Sequence, residues 1–261
     1  MASTTITILG CGTSTGVPLL HCPCKVCTSK DPRNQRLRAS AWVQSGGKSI
    51  LIDTATDLRQ QALREKIPRV DAVLYTHPHS DHVSGVDELR SFNFLQKSSI
   101  PIYGNDWTIR ELTHRYQYIF EDRPLKGGGK PSLIPHLVAA DAAELDIQGL
   151  KVIPIPLRHG GEPCFGYRIG SVAYLTDLNE IPEKSYDRLR GLSILILDCL
   201  RIGAHDTHLS LDRALEIASR IAAEKTVLTH LGHDFDFGEW EKKLPNNITL
   251  AYDGLKLEVT S

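Results

Sequence analysis

The sequence contains one segment that decides its fold: Thr76-His77-Pro78-His79-Ser80-Asp81-His82. Six consecutive positions hold three imidazoles and one carboxylate, in the order His-x-His-x-Asp-His. Imidazole nitrogens and carboxylate oxygens are ligands of divalent zinc, manganese and iron. His77 and His79 can converge on one ion, while Asp81 and His82, a step further round the turn, can face a second. The segment therefore predicts a metal site rather than an ordinary polar loop.

The metal-ligand segment follows an apolar strand and precedes a helix. Residues 71–75, Asp-Ala-Val-Leu-Tyr, are typical of a short buried strand. After Ser84-Gly85, the spacing of Val86, Leu89 and Phe92 predicts a helix. Loops at the C-terminal edge of a sheet are where α/β proteins place their chemistry. We therefore expect the segment at a sheet edge.

Three further ligand-type residues stand at the ends of apolar runs. His159 follows the run 152–155, Asp177 ends a predicted strand at 171–176, and His230 ends one at 226–229. A single residue of this kind is more often a cap or a loop residue. Because all three end such runs, they can lie together on one rim.

The metal-ligand segment and its setting resemble the metallo-β-lactamase superfamily. The resemblance implies an α/β (α+β) fold, a four-layer αββα sandwich of two mixed β-sheets flanked by helices, with the metals at the sheet edge. Residues 1–261 are then expected to form a single hydrolase domain. The resemblance places His77, His79 and His159 on one metal, and Asp81, His82 and His230 on the other, with Asp177 bridging them.

A second cluster of ligands lies in Cys22-Pro23-Cys24-Lys25-Val26-Cys27. Three thiols in this spacing need one more ligand for a closed tetrahedral zinc site, and His233 is the candidate. Disulfides and unrelated free thiols are the competing interpretations. Disulfides are disfavoured because Met1 to Leu9 has no basic start and runs directly into a strand, unlike a signal peptide. We therefore predict a structural zinc in a cytoplasmic protein.

Both clusters together resemble one branch of the superfamily, the carbon–phosphorus lyase accessory phosphodiesterases, or PhnP-like proteins. The resemblance covers nearly the whole chain. It includes Gly10-Cys11-Gly12-Thr13, Gly16-Val17-Pro18, the Cys triplet, the metal-ligand segment, Leu157 to His159, Thr176-Asp177, Asp198-Cys199, His208-Leu209-Ser210 and Thr229 to His233. The sequence departs from this branch around Cys11, at Leu19-Leu20-His21 and across 115–130, segments that could face the substrate.

The resemblance implies a metal-dependent phosphodiesterase that hydrolyses a small cyclic phosphodiester, similar to ribose 1,2-cyclic phosphate. Hydroxide bridging the two ions would attack phosphorus in line. The expected catalytic residues are His208, which would protonate the leaving oxygen, and Asp81. His208 could instead cap the following helix or bind a phosphate oxygen. Asp53 is expected to orient the metal-ligand segment from behind. The catalytic ions are expected to be manganese, zinc or nickel, because ligands without thiolate do not select zinc.

Two other activities are consistent with the same ligands. An RNA-processing endonuclease similar to tRNase Z would share them together with a histidine placed like His208, but the stretch from Tyr118 to Pro135 is short and only mildly basic for a tRNA-binding arm. A thioester hydrolase similar to glyoxalase II would carry a helical C-terminal domain, whereas this chain is predicted to end in two strands. A non-catalytic metal-binding module is disfavoured because every ligand is present.

Composition limits the partners. With 261 residues and 41% hydrophobic residues, one domain can build a large core. The formal net charge of -1 gives the protein no overall positive potential that would attract nucleic acid. Nucleic acid is therefore disfavoured as a partner. No apolar run reaches the ~20 residues of a membrane span. A small-molecule substrate is expected, and a homodimer is compatible with the sequence.

The pattern of apolar residues predicts many strands and few helices. The basic run 30–38 is expected to be a solvated loop, Gly127 to Gly129 a loop tip, and His21, His114, His136 and His205 surface or core histidines. Helices are predicted at Leu211–Ala223, with Ser210 as N-cap, at Asp106–Tyr118 and at Glu239–Leu244. Strands are predicted at 5–9, 41–43, 49–53, 71–75, 102–104, 151–155, 166–169, 172–175, 194–197, 226–228, 249–252 and 256–259.

Overall fold

The computed structural model of the chain describes residues 3–121 and 129–260. Its strands are β1 (Ser3–Gly10), β2 (Ser40–Ser45), β3 (Lys48–Ile52), β4 (Ala72–Leu74), β5 (Ile100–Gly104), β6 (Leu133–Leu137), β7 (Leu145–Ile147), β8 (Leu150–His159), β9 (Glu162–Ile169), β10 (Val172–Leu175), β11 (Ile194–Asp198), β12 (Lys225–Thr229), β13 (Ile248–Leu250) and β14 (Lys256–Thr260). Its α-helices are α1 (Leu58–Glu65), α2 (Ser80–Val83), α3 (Leu89–Gln96), α4 (Asp106–Arg115), α5 (Gln117–Phe120), α6 (Leu211–Ile221) and α7 (Phe237–Trp240). Short 3-10 helices lie at Pro32–Asn34, Val86–Glu88 and Glu183–Leu189.

The strands form two sheets of seven strands each. One sheet has the order β14-β1-β2-β3-β4-β5-β6, and the other has the order β13-β12-β11-β10-β9-β8-β7. Both are mixed. In the first sheet β3 to β6 are parallel, and in the second β10 to β13 are parallel. The parallel strands of each sheet carry their following loops to one edge, where the functional residues gather.

Three apolar layers hold this arrangement together. Between the sheets lie fully buried side chains such as Ile8, Ile50 and Ile196. Outside the first sheet, α1, α3 and α4 contribute residues such as Leu58 and Leu89. Outside the second sheet, α6 buries Ala214, Ile217, Ala218 and Ile221. Two sheets between two helical layers confirm the predicted αββα sandwich.

The N-terminus of α6 has the predicted cap. The Ser210 side chain accepts a hydrogen bond from the Arg213 amide, although at 3.5 Å the contact is long. The helix ends at Ile221, and Ala222 follows in the left-handed conformation. This helix begins three residues after His208, so its cap fixes the place where His208 leaves the sheet edge.

Several predicted boundaries are wrong. The structure adds β6 and β7, and it adds α1, none of which was predicted. The helix predicted at Asp106–Tyr118 divides at Tyr116 into α4 and α5. The helix predicted at Glu239–Leu244 lies earlier, at Phe237–Trp240, where Asp236 caps it.

Gly127 and Gly128 of the predicted loop tip lie outside the described residues. Within the two described ranges, no helix is long and apolar enough to cross a membrane.

Candidate functional site

Three histidines form the first group of ligand atoms. One ring nitrogen from each of His77, His79 and His159 lies within 4.8 Å of the other two. His77 and His79 come from the loop between β4 and α2, and His159 is the last residue of β8. His159 donates from Nδ1 to the Thr207 carbonyl at 2.8 Å. Its Nε2 then faces the group and lies within hydrogen-bond distance of His79 Nδ1, at 3.3 Å.

Two histidines and two carboxylates form the second group. Ligand atoms of Asp81, His82, Asp177 and His230 also lie within 4.8 Å of one another. Asp81 and His82 occupy the first turn of α2, whereas Asp177 follows β10 and His230 follows β12. Both sheets therefore contribute ligand atoms to this group.

The Asp177 carboxylate lies between the two groups. Its Oδ1 is 3.3 Å from His230 Nε2 and 3.9 Å from His77 Nε2. Its Oδ2 is 3.2 Å from His82 Nε2. Burial opposes ionisation of Asp177, but His230 and His82 outweigh it and hold the pKa of this carboxyl well below its usual range. An ionised carboxylate in this position can be shared by two cations.

Several nitrogens in this site are buried without a hydrogen-bond partner. Nε2 of His77, of His82 and of His230 each make no hydrogen bond, although carboxylate oxygens are near. Buried polar atoms in native proteins are nearly always satisfied. Burial also lowers the pKa of His77, so that its imidazole is neutral, which is the form that binds metal. The donor set of five imidazoles and two carboxylates therefore fits a pair of divalent metal ions.

Two fully buried carboxylates orient these ligands. Asp53 accepts hydrogen bonds from the Thr76 amide and hydroxyl, both at 2.8 Å, and from His82 Nδ1 at 2.7 Å. The predicted role of Asp53 agrees with these contacts. His82 Nδ1 donates a hydrogen bond to Asp53, so its Nε2 is the nitrogen that faces the site.

The second carboxylate, Asp198, supports the other sheet's ligands. It accepts from the Asp177 amide at 3.1 Å and from the Leu209 amide at 2.8 Å. Its Oδ1 is 3.2 Å from His208 Nδ1. In the sequence, Asp198 stands out only as part of the Asp198-Cys199 motif of the PhnP-like branch. Its position at the end of an apolar strand is the same feature that identified Asp177 and His230, and it could have been assigned on that basis.

Three of these residues have left-handed backbone conformations. The φ angle is 63° at Asp53, 54° at Asp177 and 58° at His230. Each follows a parallel strand, so the chain turns sharply as it leaves the sheet edge. Residues other than glycine rarely adopt φ values in this range, although Asp, Asn and His do so more often than most. Such conformations at a cluster of ligands are typical of functional sites.

His208 lies beside the ligands rather than within either group. Its ring stacks on that of His230 with centroids 4.7 Å apart, and its Nε2 is 3.9 Å from Asp177 Oδ1. Burial works against protonation of His208, but the Asp198 carboxylate outweighs burial and raises the pKa of His208. The alternative role as a helix cap is filled by Ser210. This geometry makes His208 suited to hold a proton that faces the ligand cluster.

The four predicted zinc ligands also come together. His233 Nδ1 lies 3.3 Å from Cys22 Sγ, 3.5 Å from Cys24 Sγ and 3.6 Å from Cys27 Sγ. The Cys27 amide donates to Cys24 Sγ, and this contact contributes most to lowering the pKa of the Cys24 thiol to about 6. All six cysteines of the chain are free thiols. Three thiols and one imidazole around one point fit a closed tetrahedral zinc site.

Two side chains of α4 border the ligands and were not predicted from the sequence. The Trp107 ring stands edge-on to His79 with centroids 6.1 Å apart. Arg115 donates to the Pro78 carbonyl and so fastens the metal-ligand segment from outside. His205, predicted to have no partner, instead lies against His208 with ring centroids 5.3 Å apart. The contacts of Trp107 and Arg115 join residues about thirty or more positions apart in sequence, so no local pattern could reveal them.

Comparison with known proteins agrees with this geometry. The model of the beta-lactamase superfamily domain matches residues 48–231, which include most of the candidate ligands. The chain belongs to the metallo-β-lactamase superfamily. Within it, the chain is PhnP-like. A crystal structure described as a new diphosphatase from the PhnP family superposes with a TM-score of 0.92 at 44% sequence identity, covering 99% of this chain and 98% of that one.

Two curated relatives extend the comparison. An octanoyltransferase of Porphyromonas gingivalis is 36% identical over 252 residues, which are 95% of this chain and 50% of that protein. A ribonuclease Z of Bradyrhizobium diazoefficiens is 29% identical over 147 residues, 54% of this chain and 47% of that protein. The matched part of this chain thus spans about half the length of each of these relatives.

Proposed function

We propose that this chain is a metal-dependent phosphodiesterase that hydrolyses a small cyclic phosphodiester, similar to ribose 1,2-cyclic phosphate. The observation that carries the proposal is the pair formed by His208 and Asp198, which holds an imidazole beside the clustered ligands. The likeness to a PhnP-family diphosphatase over the whole length of both chains supports it.

The proposed roles of the residues follow from their positions. His77, His79 and His159 would hold one divalent ion, Asp81, His82 and His230 a second, and Asp177 would contact both. Bound there, manganese, zinc or nickel ions would act as Lewis acids on the phosphoryl oxygens and lower the pKa of water. Asp53 and Asp198 fix which nitrogen of His82 and His208 faces the site.

The remaining step is protonation of the leaving alkoxide. Nε2 of His208 is the only nitrogen of that ring that can reach the ligand cluster, since Nδ1 faces Asp198. The Asp198 carboxylate raises the pKa of His208 and so favours its protonated form. We assign His208 as general acid, with Asp198 as its positioning residue.

We also propose that a third ion, a zinc, is held by Cys22, Cys24, Cys27 and His233. A site with four protein ligands leaves no open position for substrate, so this ion would serve folding rather than chemistry. Because His233 follows His230 by three residues, the zinc would also restrain the loop that carries a catalytic ligand.

RNA is the second candidate substrate. The observation that favours it is the 29% identity with a ribonuclease Z. The match covers 54% of this chain, whereas the match to the PhnP-family structure covers 99%. We therefore rank the small phosphodiester first.

The test is a substrate panel assayed with protein whose metals have been counted. The panel contains ribose 1,2-cyclic phosphate, nucleoside cyclic phosphates, a tRNA precursor, a glutathione thioester and phosphomonoesters. We expect about three ions per chain and turnover of the cyclic diesters, with little hydrolysis of phosphomonoesters. His79→Ala is the control that should lose activity and metal together. Faster cleavage of the tRNA precursor or of the thioester, or fewer than two ions per chain, would reject the proposal.

A further inference from the structure

A cavity of about 450 Å³ opens beside the end of β8, the strand that carries His159. Its walls come from the end of β8, the start of β9, the 3-10 helix at Glu183–Leu189, the residue before α4 and the segment after β6. The volume falls within the range of small-molecule sites. The described residues that line it include none of the candidate metal ligands, and neither His208 nor Asp198. The cavity is therefore separate from the proposed reaction centre.

The walls of the cavity are mainly apolar. β8 and β9 contribute Pro156, Leu157, Pro163 and Phe165, and Pro182 comes from the segment before the 3-10 helix. Prolines have no N–H, so three of these positions add no backbone donor to the wall. Water in such surroundings finds few hydrogen-bond partners. An apolar group that replaced this water would be favoured by the hydrophobic effect.

The backbone carbonyls along the outer edge of β8 already have donors from the protein. The pairing of β7 with β8 ends at Val152. Beyond that point, Ser185 Oγ donates to the Pro156 carbonyl at 2.6 Å, and Arg188 Nη1 donates to the Pro154 carbonyl at 2.5 Å. A ligand that enters the cavity therefore meets apolar surface rather than unsatisfied carbonyls.

The lining also carries an excess of positive charge. Arg158, Lys184 and Arg188 are its cations, and Asp141 is the carboxylate among the described lining residues. Lys184 is exposed and forms no hydrogen bond or ion pair with any residue that the structure describes. Arg158 is also exposed, and its contact with the Gly161 carbonyl is long, at 3.4 Å. Free cations beside an apolar surface favour a ligand that has an apolar body and an anionic group.

The cavity shares residues with the supports of the metal-ligand candidates. Cys164 lines it, and its Sγ donates to the Asp177 carbonyl at 3.2 Å. Asn105 lines it as well, and its Nδ2 donates to the Pro163 carbonyl at 3.1 Å. An occupant would therefore touch residues that hold the reaction centre in place without contacting a candidate metal ligand.

We propose that this cavity binds an amphipathic organic anion, a small molecule with an apolar body and one carboxylate or similar head group. The apolar body lies against Pro156, Leu157 and Phe165, and the head group lies near Arg158 and Lys184, where it stays partly hydrated. The site is additional to the reaction centre. The inference does not depend on the phosphodiesterase proposal, because binding is measured without turnover.

The dye 1-anilinonaphthalene-8-sulfonate, which has an apolar body and one anionic group, is the first probe. We expect Ala140→Trp, which places an indole in the cavity from an exposed position, to weaken dye binding by about tenfold or more. Ala139→Trp is the matched control, because Ala139 is an exposed neighbour that does not line the cavity. Lys184→Glu should weaken binding by about 3- to 10-fold, as expected for an exposed charge that changes sign. Lys225→Glu, exposed at the start of β12, should leave binding unchanged.

Competition with the dye then shows which part of the ligand is recognised. Decanoate, decanol and decyltrimethylammonium are compared below their micelle concentrations. We expect decanoate to displace the dye at the lowest concentration and the ammonium compound at the highest. Lys184→Glu should remove the advantage of decanoate over decanol. Equal displacement by the three compounds would reject the proposal, because it would show general apolar association without recognition of charge.

Two further results would overturn the proposal. Dye binding that is unchanged in a folded Ala140→Trp protein would place the dye outside the cavity. Loss of dye binding in His79→Ala would place it at the metal ligands, whereas the proposal expects that variant to bind as the wild type does. If Ala140→Trp lowers the melting temperature, Lys184→Glu against Lys225→Glu decides the question: equal affinities of these two variants would reject the site.

Discussion

At the scale of single residues, the environment of His208 combines three contacts with different consequences. Asp198 binds its Nδ1 side, His230 stacks on its face, and its Nε2 faces Asp177. The first contact sets the tautomer and raises the pKa of His208, the second restrains the ring, and the third places the proton near the ligands. Together these contacts prepare an imidazole to release its proton in one direction.

Replacing His208 with alanine should therefore separate substrates by their leaving groups. A ribose alkoxide needs a proton as it departs, so turnover of a ribose cyclic phosphate should fall by about 10²–10⁴-fold. A p-nitrophenyl diester should lose far less, because its phenolate leaves without a proton. Steady-state kinetics on both substrates, at unchanged metal content, measure this difference. Equal losses on the two substrates would show that His208 positions the phosphate instead.

Replacing Cys24 with serine tests the second ligand cluster. Serine is a poor zinc ligand, and a closed site contributes its binding free energy to folding. We expect a lower melting temperature and one zinc fewer per chain, with only a modest loss of kcat. Cys199→Ser is a buried cysteine control that should keep full zinc content. A Cys24→Ser protein with unchanged zinc and unchanged melting temperature would contradict the assignment.

The metal-ligating candidates were accessible from sequence because a polar residue after an apolar run marks a sheet edge. His159, Asp177 and His230 each followed this rule, and the structure brings them together. The chemistry of a single side chain is harder to predict when its neighbours are remote. Arg36 lies within a basic run that reads as a solvated loop, yet it is 1% exposed.

At the scale of secondary-structure elements, Arg36 connects two loops that frame the cluster of three cysteines and His233. Its guanidinium donates to the carbonyls of Gly232 and Phe235 and to the Asn34 side chain. The segment before β2 is thereby fixed to the loop that carries His233. This contact spans about two hundred residues of sequence, which is why the basic run alone did not predict it.

Replacing Arg36 with methionine should destabilise the fold, because it leaves these buried carbonyls without donors. Unsatisfied buried acceptors of this kind make a loss of about 2–4 kcal/mol in the free energy of unfolding reasonable. Urea denaturation with zinc present measures it. Lys30→Met, in the same loop but exposed, should change stability by less than about 0.5 kcal/mol. Equal effects of the two substitutions would show that the buried contacts carry no particular weight.

The elements that the sequence did not predict lack a clear periodic apolar face. In β6, Pro135 interrupts the pattern, and the strand lies at a sheet edge, where proline is tolerated and side chains stay exposed. In α1, Leu58 and Gln61 are the buried residues, so the helix has almost no apolar periodicity. The long central strands and α6 were predicted because both bury a continuous face. Tertiary contacts decide the structure of the elements that lack such a face.

At the scale of the whole molecule, Asp253 joins the C-terminal part of the chain to its N-terminal loops. Its carboxylate accepts from the amides of Cys11 and Leu37, and its side chain is 10% exposed. Burial raises the pKa of Asp253 to about 6, in spite of these hydrogen bonds and of Arg64 nearby.

This raised pKa predicts the sign of a pH effect on stability. The folded state holds the proton up to about pH 6, whereas the unfolded chain releases it near its ordinary pKa of about 4. Between these values the folded state binds more protons, so the contribution of Asp253 to stability is fully present below about pH 4 and is lost as the pH rises. A shift of this size corresponds to about 2–3 kcal/mol.

Asparagine at position 253 removes the titration and isolates its effect. We expect the difference in unfolding free energy, wild type minus Asp253→Asn, to decrease as the pH rises from 4 to 7, with the same zinc concentration throughout. Asp212→Asn, which makes the same change at an exposed carboxyl in the first turn of α6, is the matched surface variant. A difference that stays constant, or that increases with pH, would contradict the raised pKa.

The left-handed conformations at Asp53, Asp177 and His230 have a consequence for how this lineage can diverge. Two requirements restrict the amino acid at each position. Its side chain must bind or orient a ligand, and its backbone must adopt a left-handed conformation, which is unfavourable for β-branched and most other residues. If catalysis is lost, the requirement on the side chain disappears but the left-handed backbone remains. A descendant that had lost catalysis and kept the fold would therefore be expected to carry asparagine or glycine at these positions, and seldom valine or isoleucine. In a relative that does not turn over substrate, asparagine or glycine at these three positions would then mark where the active site had been.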